Sequence, residues 1–210
     1  MNLKEKTLEV IKRLKKEYPE AKTALHFGTP FELLAATILS AQTTDALVNR
    51  VTESLFKKYG SVRDFADSRP EDLQKDISSV NFYKTKAKNI QACAKIIAEK
   101  FGSKVPKSMD ELTGLPGVAR KTANIILSNA FGINVGIAVD THVKRVSYRL
   151  GLTKNEDPVK IERDLIAITP KEEWGNISHL LIFHGRKICQ AKKPQHHECV
   201  LYNICPSRNI

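Results

Sequence analysis

From Asn2 to Tyr18 the chain sets Leu3, Leu8, Val10, Ile11 and Leu14 among lysines and glutamates, the recurrence of an amphipathic helix that stops before Pro19. A loop from Glu20 to Thr29 leads to Pro30, a residue suited to a first helical turn. The stretch Phe31-Glu32-Leu33-Leu34-Ala35-Ala36-Thr37-Ile38-Leu39 is apolar nearly all round, which predicts a buried helix. Small and polar residues at Ser40, Gln42, Thr43, Thr44 and Asp45 interrupt that pattern, and the next helix runs from there to Tyr59, before Gly60. Shorter helices are expected from Val62 to Ala66, opened by Ser61, and from Glu71 to Ser78, opened by Pro70. Phe82 and Tyr83 then stand at a helix entrance, flanked by Lys84, Lys86 and Lys88. Such aromatics are commonly core, but with lysines beside them they also suit wedging against bases while the cations bind phosphates.

The stretch from Leu112 to Leu150 carries a different signal. Ser108 and Glu111 have the spacing of a capping box that could open a helix. Leu115-Pro116-Gly117-Val118-Ala119 cannot continue it, because Pro116 lacks an N–H and Gly117 invites a positive φ. A second helix is expected from near Val118, with Ala123, Ile126, Leu127 and Ala130 on one side and Gly132 as its stop. The N–H groups of Gly117 and Ala119 would then point outward at a positive helix end, which is a seat for phosphate. Lys121 falls in the first turn, where the helix field and Arg120 both disfavour another positive charge and would lower its pKa from about 10.4. A neutral amine there is a nucleophile for carbonyl-like carbon. Asp140 follows in the apolar setting Ile137-Ala138-Val139. It suits the N-cap of a helix from Thr141 to Leu150, and it is also a candidate for chemistry. Further helices are expected from Pro158 to Ile168 and from Ile177 to Lys187. No segment has strand period, so the chain reads as all α.

A chain of 210 residues buries about 70% of its unfolded surface, enough for a proper core without staples. Lys and Arg outnumber Asp and Glu by 34 to 23, a net charge of +11 that suits a polyanionic partner such as nucleic acid. No apolar run approaches the roughly 20 residues that span a bilayer. The N-terminus lacks the apolar core of a signal peptide, so a soluble, intracellular protein is expected. Cys93 lies alone in an apolar helical pattern and reads as core. Cys189, Cys199 and Cys205 crowd the tail with His196 and His197 between them, a metal signal and not a disulfide one. Three thiolates and an imidazole suit zinc, and imidazole also ligates iron in some clusters.

The run LPGVARKTAN followed by VDTH resembles the helix-hairpin-helix, Gly/Pro-rich loop and aspartate signature of the endonuclease III family of DNA glycosylases. The resemblance extends from LLAATILSAQTTD, near residue 33, to the Cys-rich tail. It implies two helical domains with a DNA-binding cleft between them: residues 23–134 as a six-helix domain, and residues 1–22 with 135–210 as a second domain carrying a metal-cluster loop. Lys121 and Asp140 would face each other across the cleft, the lysine as Schiff-base nucleophile and the aspartate as its assistant. Gln42 would enter the DNA stack where a nucleotide has flipped out, and Phe82 stands where relatives carry a leucine-like wedge, so an aromatic departs from the common form. Alanine at 119 replaces a frequent glycine but keeps the N–H of the phosphate seat.

In that family four cysteines, spaced six, two and five residues apart, hold a 4Fe-4S cluster. Here the second position is His196, so Cys189, His196, Cys199 and Cys205 are the expected ligands, with zinc as the alternative, and His197 breaks the spacing. Lys192 and Lys193 match loop cations that contact the DNA backbone. The expected function is a bifunctional DNA glycosylase and AP lyase, monomeric, excising oxidised pyrimidines from double-stranded DNA. The alternatives are a monofunctional mismatch or adenine glycosylase, against which Lys121 argues, and a non-catalytic helix-hairpin-helix DNA-binding protein, against which the pair of Lys121 and Asp140 argues.

Overall fold

Helix α1 (Leu3–Glu17) opens on a reciprocal cap, in which the Asn2 side chain accepts from the Glu5 N–H at 2.9 Å and the Glu5 carboxylate accepts from the Asn2 N–H at 3.0 Å. Val10, Ile11 and Leu14 form its buried side. The computed structural model describes residues 2–208, and among them it holds helices and turns but no strand. The chain divides into two units, Met1–Lys22 with Asn134–Ile210, and Thr23–Ile133.

The second unit is built around α2 (Pro30–Ser40), which starts at the Thr29 cap and buries nearly every residue from Phe31 to Leu39. After a turn at Ala41–Gln42 come α3 (Asp45–Lys58), capped by Thr44, and the short α4 (Val62–Asp67) and α5 (Pro70–Asp76). Phe65 of α4 stacks against Phe31 and Tyr59, with ring centroids 5.2 and 5.0 Å away. Then follow α6 (Tyr83–Lys100), α7 (Met109–Thr113) and α8 (Arg120–Phe131). Helices α3, α6 and α8 all pack on α2, which explains why its sequence has no polar face.

In the first unit α9 (Thr141–Arg149), α10 (Pro158–Ile168) and α11 (Trp174–Lys187) enclose a core of Val143, Val146, Ile161, Leu165, Ile177 and Leu181. Helix α1 completes it through Val10, Ile11 and Leu14. The helix starts shift from the sequence expectation where a local bond intervenes. The Val118 N–H turns back to the Leu115 carbonyl at 3.1 Å, so α8 begins at Arg120 instead of near Val118. Ser108 Oγ accepts the Glu111 N–H at 3.3 Å, but the Glu111 carboxylate takes the Ser108 hydroxyl at 2.6 Å, which makes only half of a capping box.

Candidate functional site

The turn before α8 is shaped by Gly117, whose φ of +77° is open to glycine at little cost. A Cβ at this position would also come within 2.6 Å of the Asn89 side chain on α6. The turn is tied to α6 a second time by the Cys93 thiol, which donates to the Pro116 carbonyl at 3.1 Å. Burial pushes that thiol up to about 12, so it keeps the proton it donates. Cys93 is core, and it also fastens the hairpin. The N-cap of α8 is Ala119, which brings no side-chain acceptor to the first turn. The positive end of that helix turn suits an anion such as phosphate. Lys121 is exposed in this same turn.

Besides Ser103, two further non-glycine residues of this unit have a positive φ. Gln42 has φ +54° and Phe82 has φ +57°, the left-handed region that costs a residue other than glycine about 1–3 kcal/mol. Phe82 is the N-cap of α6, offers no side-chain cap bond, and is 63% exposed. Gln42 is exposed at the end of α2. The two strained residues are linked, since the Asn81 side-chain amide donates to the Gln42 carbonyl at 2.6 Å. Lys86 corrects the expectation of a phosphate-binding lysine beside Phe82. Its side chain is buried, and its Nζ donates to the Leu39 carbonyl (2.7 Å), the Ala41 carbonyl (2.7 Å) and Thr43 Oγ1 (3.0 Å). Lys84 and Lys88 are exposed.

In the other unit Asp140 is half-buried and caps α9. Its Oδ1 accepts from the N–H groups of His142 and Val143, each at 2.8 Å, and Oδ2 takes neither bond. The segment after it is held by Arg145, which donates to His142 Nδ1 (3.1 Å), the Gly185 carbonyl (2.9 Å) and the Cys189 carbonyl (3.1 Å). Burial lowers the His142 pKa, the nearby Asp140 raises it and Arg145 lowers it again. A neutral ring accepting at Nδ1 carries its hydrogen on Nε2.

Cys189, His196, Cys199 and Cys205 line one cavity at the C-terminus, together with Arg149, His184, Tyr202 and Arg208. The three cysteines form no disulfide. Burial pushes the Cys199 and Cys205 thiols up, and the neighbouring cysteines add to the effect. Among the described residues no three His, Cys, Asp or Glu side chains converge closely enough to hold one metal ion. His184, which the sequence did not single out, lies with Nε2 3.6 Å from Cys199 Sγ and Nδ1 3.2 Å from the Tyr18 hydroxyl. Burial pushes this imidazole down to about 4. His197 is exposed and sits 3.2 Å from Glu198. The loop carrying Lys192 and Lys193 is closed by the Ile188 carbonyl, which accepts from the Gln190 and Gln195 N–H groups, each at 2.9 Å. Arg149 braces it through the carbonyls of Gln190 and Ala191, and both lysines are exposed.

This arrangement of a glycine turn, an uncapped helix start bearing a lysine, and a capped aspartate has close parallels. Residues 35–171 match the HhH-GPD superfamily of base excision DNA repair proteins. The endonuclease III of Synechocystis sp. is 50% identical over 204 residues, covering 97% of this chain and 93% of that one. That of Bacillus subtilis is 50% identical over 189 residues, 90% of this chain and 86% of that one. A solved structure described as a trapped endonuclease III–DNA covalent intermediate, in an estranged-adenine complex, aligns with a TM-score of 0.91 at 44% identity, covering 99% and 98% of the two chains. The chain belongs to the endonuclease III family of HhH-GPD proteins. It is accordingly an enzyme of base excision repair, a DNA glycosylase and AP lyase. No helix among the described residues is long and apolar enough to cross a membrane.

Proposed function

We propose that this enzyme excises oxidised pyrimidines from damaged duplex DNA and then cleaves the strand, with Lys121 as nucleophile and Asp140 as its assistant. The observation that carries the proposal is Lys121 itself, exposed in the uncapped first turn of α8 immediately after the Gly117 turn. A phosphate on the N–H groups of that turn would bring the sugar of a flipped-out nucleotide to the amine. The Nζ lone pair attacks C1′, the glycosidic bond breaks, and its electron pair leaves with the base, which takes up a proton. Loss of the amine proton and ring opening give an imine, and abstraction of a C2′ proton then expels the 3′ phosphate by β-elimination. Asp140 stabilises the positive charge that develops on the sugar, or moves a proton, through the oxygen that does not cap α9. The covalent DNA intermediate of the 44%-identical relative supports a nucleophilic route.

Gln42 takes the part of filler and Phe82 that of wedge in the opened stack, while Lys192 and Lys193 contact phosphates. Three thiolates and an imidazole that line one cavity at the C-terminus suit a 4Fe-4S cluster by their donor chemistry, and Cys189, His196, Cys199 and Cys205 would hold it. A cluster there supplies a redox-active centre that also stiffens the loop of Lys192 and Lys193. We place the enzyme in the cytoplasm, acting on the nucleoid as a monomer. A panel of duplexes carrying single lesions tests the substrate class: thymine glycol and 5-hydroxycytosine should be excised with strand cleavage. Release of normal thymine, uracil or adenine from mismatches in their place, without cleavage, would overturn it.

A further inference from the structure

At the end of α2 the residue just past the C-cap is Gln42, in the left-handed conformation that glycine usually supplies there. At the start of α6 the N-cap is Phe82, where a residue such as serine or aspartate in extended backbone is the norm. Glycine at the first position and a polar cap at the second would build both junctions without strain. The chain instead keeps a long amide and an exposed aromatic ring, and surrounds them with bonds that hold this backbone.

Those bonds come from two residues. Lys86 Nζ has three N–H groups and directs all of them into the turn: to Leu39 and Ala41 on one side of Gln42, and to Thr43 on the other. The backbone of Gln42 cannot rotate out of its left-handed state without pulling one of these acceptors off the ammonium. The backbone N–H of the same lysine bonds the Phe82 carbonyl at 3.0 Å, closing the first turn of α6. Asn81 adds a direct strut to the Gln42 carbonyl, 39 residues away in the chain. Burial lowers the Lys86 pKa, but the ammonium is fully bonded and lies at the negative end of α2, which favours its charge. With every donor spent inside the protein, Lys86 has none for DNA.

We propose that Lys86 and Asn81 are positioning residues that set Gln42 and Phe82 at a fixed separation and aim, so that recognition of an opened base stack depends on two side chains that act through others. This rests on the wedge and filler roles proposed for Gln42 and Phe82.

Asn81→Ala is the cleanest test, because the side chain is exposed and its loss leaves no buried charge. The measurements are affinity for a duplex carrying a tetrahydrofuran abasic analogue, affinity for the same duplex undamaged, and the fluorescence of 2-aminopurine opposite the analogue. Asn81→Ala should lower the ratio of the two affinities by roughly fivefold, the effect of one well-placed hydrogen bond, and should shrink the fluorescence change, while the melting temperature stays put. Lys86→Met should lower the same ratio and melt earlier. In a Gln42→Ala background Asn81→Ala should cost less than it does alone, because only Phe82 is then left to position. A wild-type ratio in Asn81→Ala, or losses that simply add in the double variant, would overturn the positioning role with the wedge intact. A wild-type ratio in both Gln42→Ala and Phe82→Ala would instead remove the wedge, and this proposal with it.

Discussion

Asp140 Oδ1 holds the N–H groups of both His142 and Val143 at 2.8 Å, so one carboxylate oxygen secures the start of α9. Asparagine caps a helix about as well as aspartate, whereas alanine forfeits about 0.5–2 kcal/mol. Asp140→Asn should therefore melt close to the parent yet release base more slowly by a factor of about 10² or more, the scale of losing a key electrostatic group. Asp140→Ala should lose both. Thermal melting alongside single-turnover excision separates the two contributions, and normal turnover with a large fall in melting temperature would leave Asp140 as a cap alone.

Lys121 is exposed. Replacing it by glutamine should abolish strand cleavage and the covalent adduct that borohydride traps from an imine, while DNA affinity stays near the parent. Undiminished trapping would assign the nucleophile elsewhere.

Gly117→Ala places a methyl group against Asn89 in a backbone conformation that alanine disfavours. Both effects disturb the hairpin, so binding to duplex DNA should fall together with the melting temperature, by more than the roughly 1 kcal/mol that separates alanine from glycine at an unstrained site. Gel shifts and calorimetry on the same preparation are the check.

Lys192 and Lys193 project from a loop braced at Ile188 and by Arg149. If each meets a phosphate, neutralising either should reduce the slope of log affinity against log salt by about one. An unchanged slope would put that lysine off the interface.

A histidine among cluster ligands leaves the cluster less negative than four thiolates would, which raises its potential. Protein purified without oxygen should be brown, with about four irons and four sulfides per chain, and His196→Cys should keep the colour while lowering the potential in voltammetry. Colourless protein with one zinc would replace the cluster by the alternative metal and leave Lys121 and Asp140 untouched.

Most helices were legible because their signals are local. Pro30 and Ser61 mark helix starts in the chain as in the structure, and α2 advertises its burial by having no polar face. Gly117 could be read as a turn because proline and glycine stand together. Lys86 was misread, although a signal existed: its spacing to Ile90, Cys93 and Ile97 puts it on the buried side of α6. Alternation with Lys84 and Lys88 made it look like one more surface cation.

By itself, the sequence determined what short-range chemistry determines: an all-helical chain, the breaks between helices, and which residues carry a nucleophile, a carboxylate or a soft metal ligand. Tertiary structure alone decided which of those groups are strained, buried or held. The acceptors of Lys86 lie 43 to 47 residues away, the carbonyl met by Cys93 lies 23 away, and Cys199 meets His184 across 15. Left-handed backbone at Gln42 and Phe82 opposes the local preference of both residues, so it follows only from bonds that the folded chain brings to them.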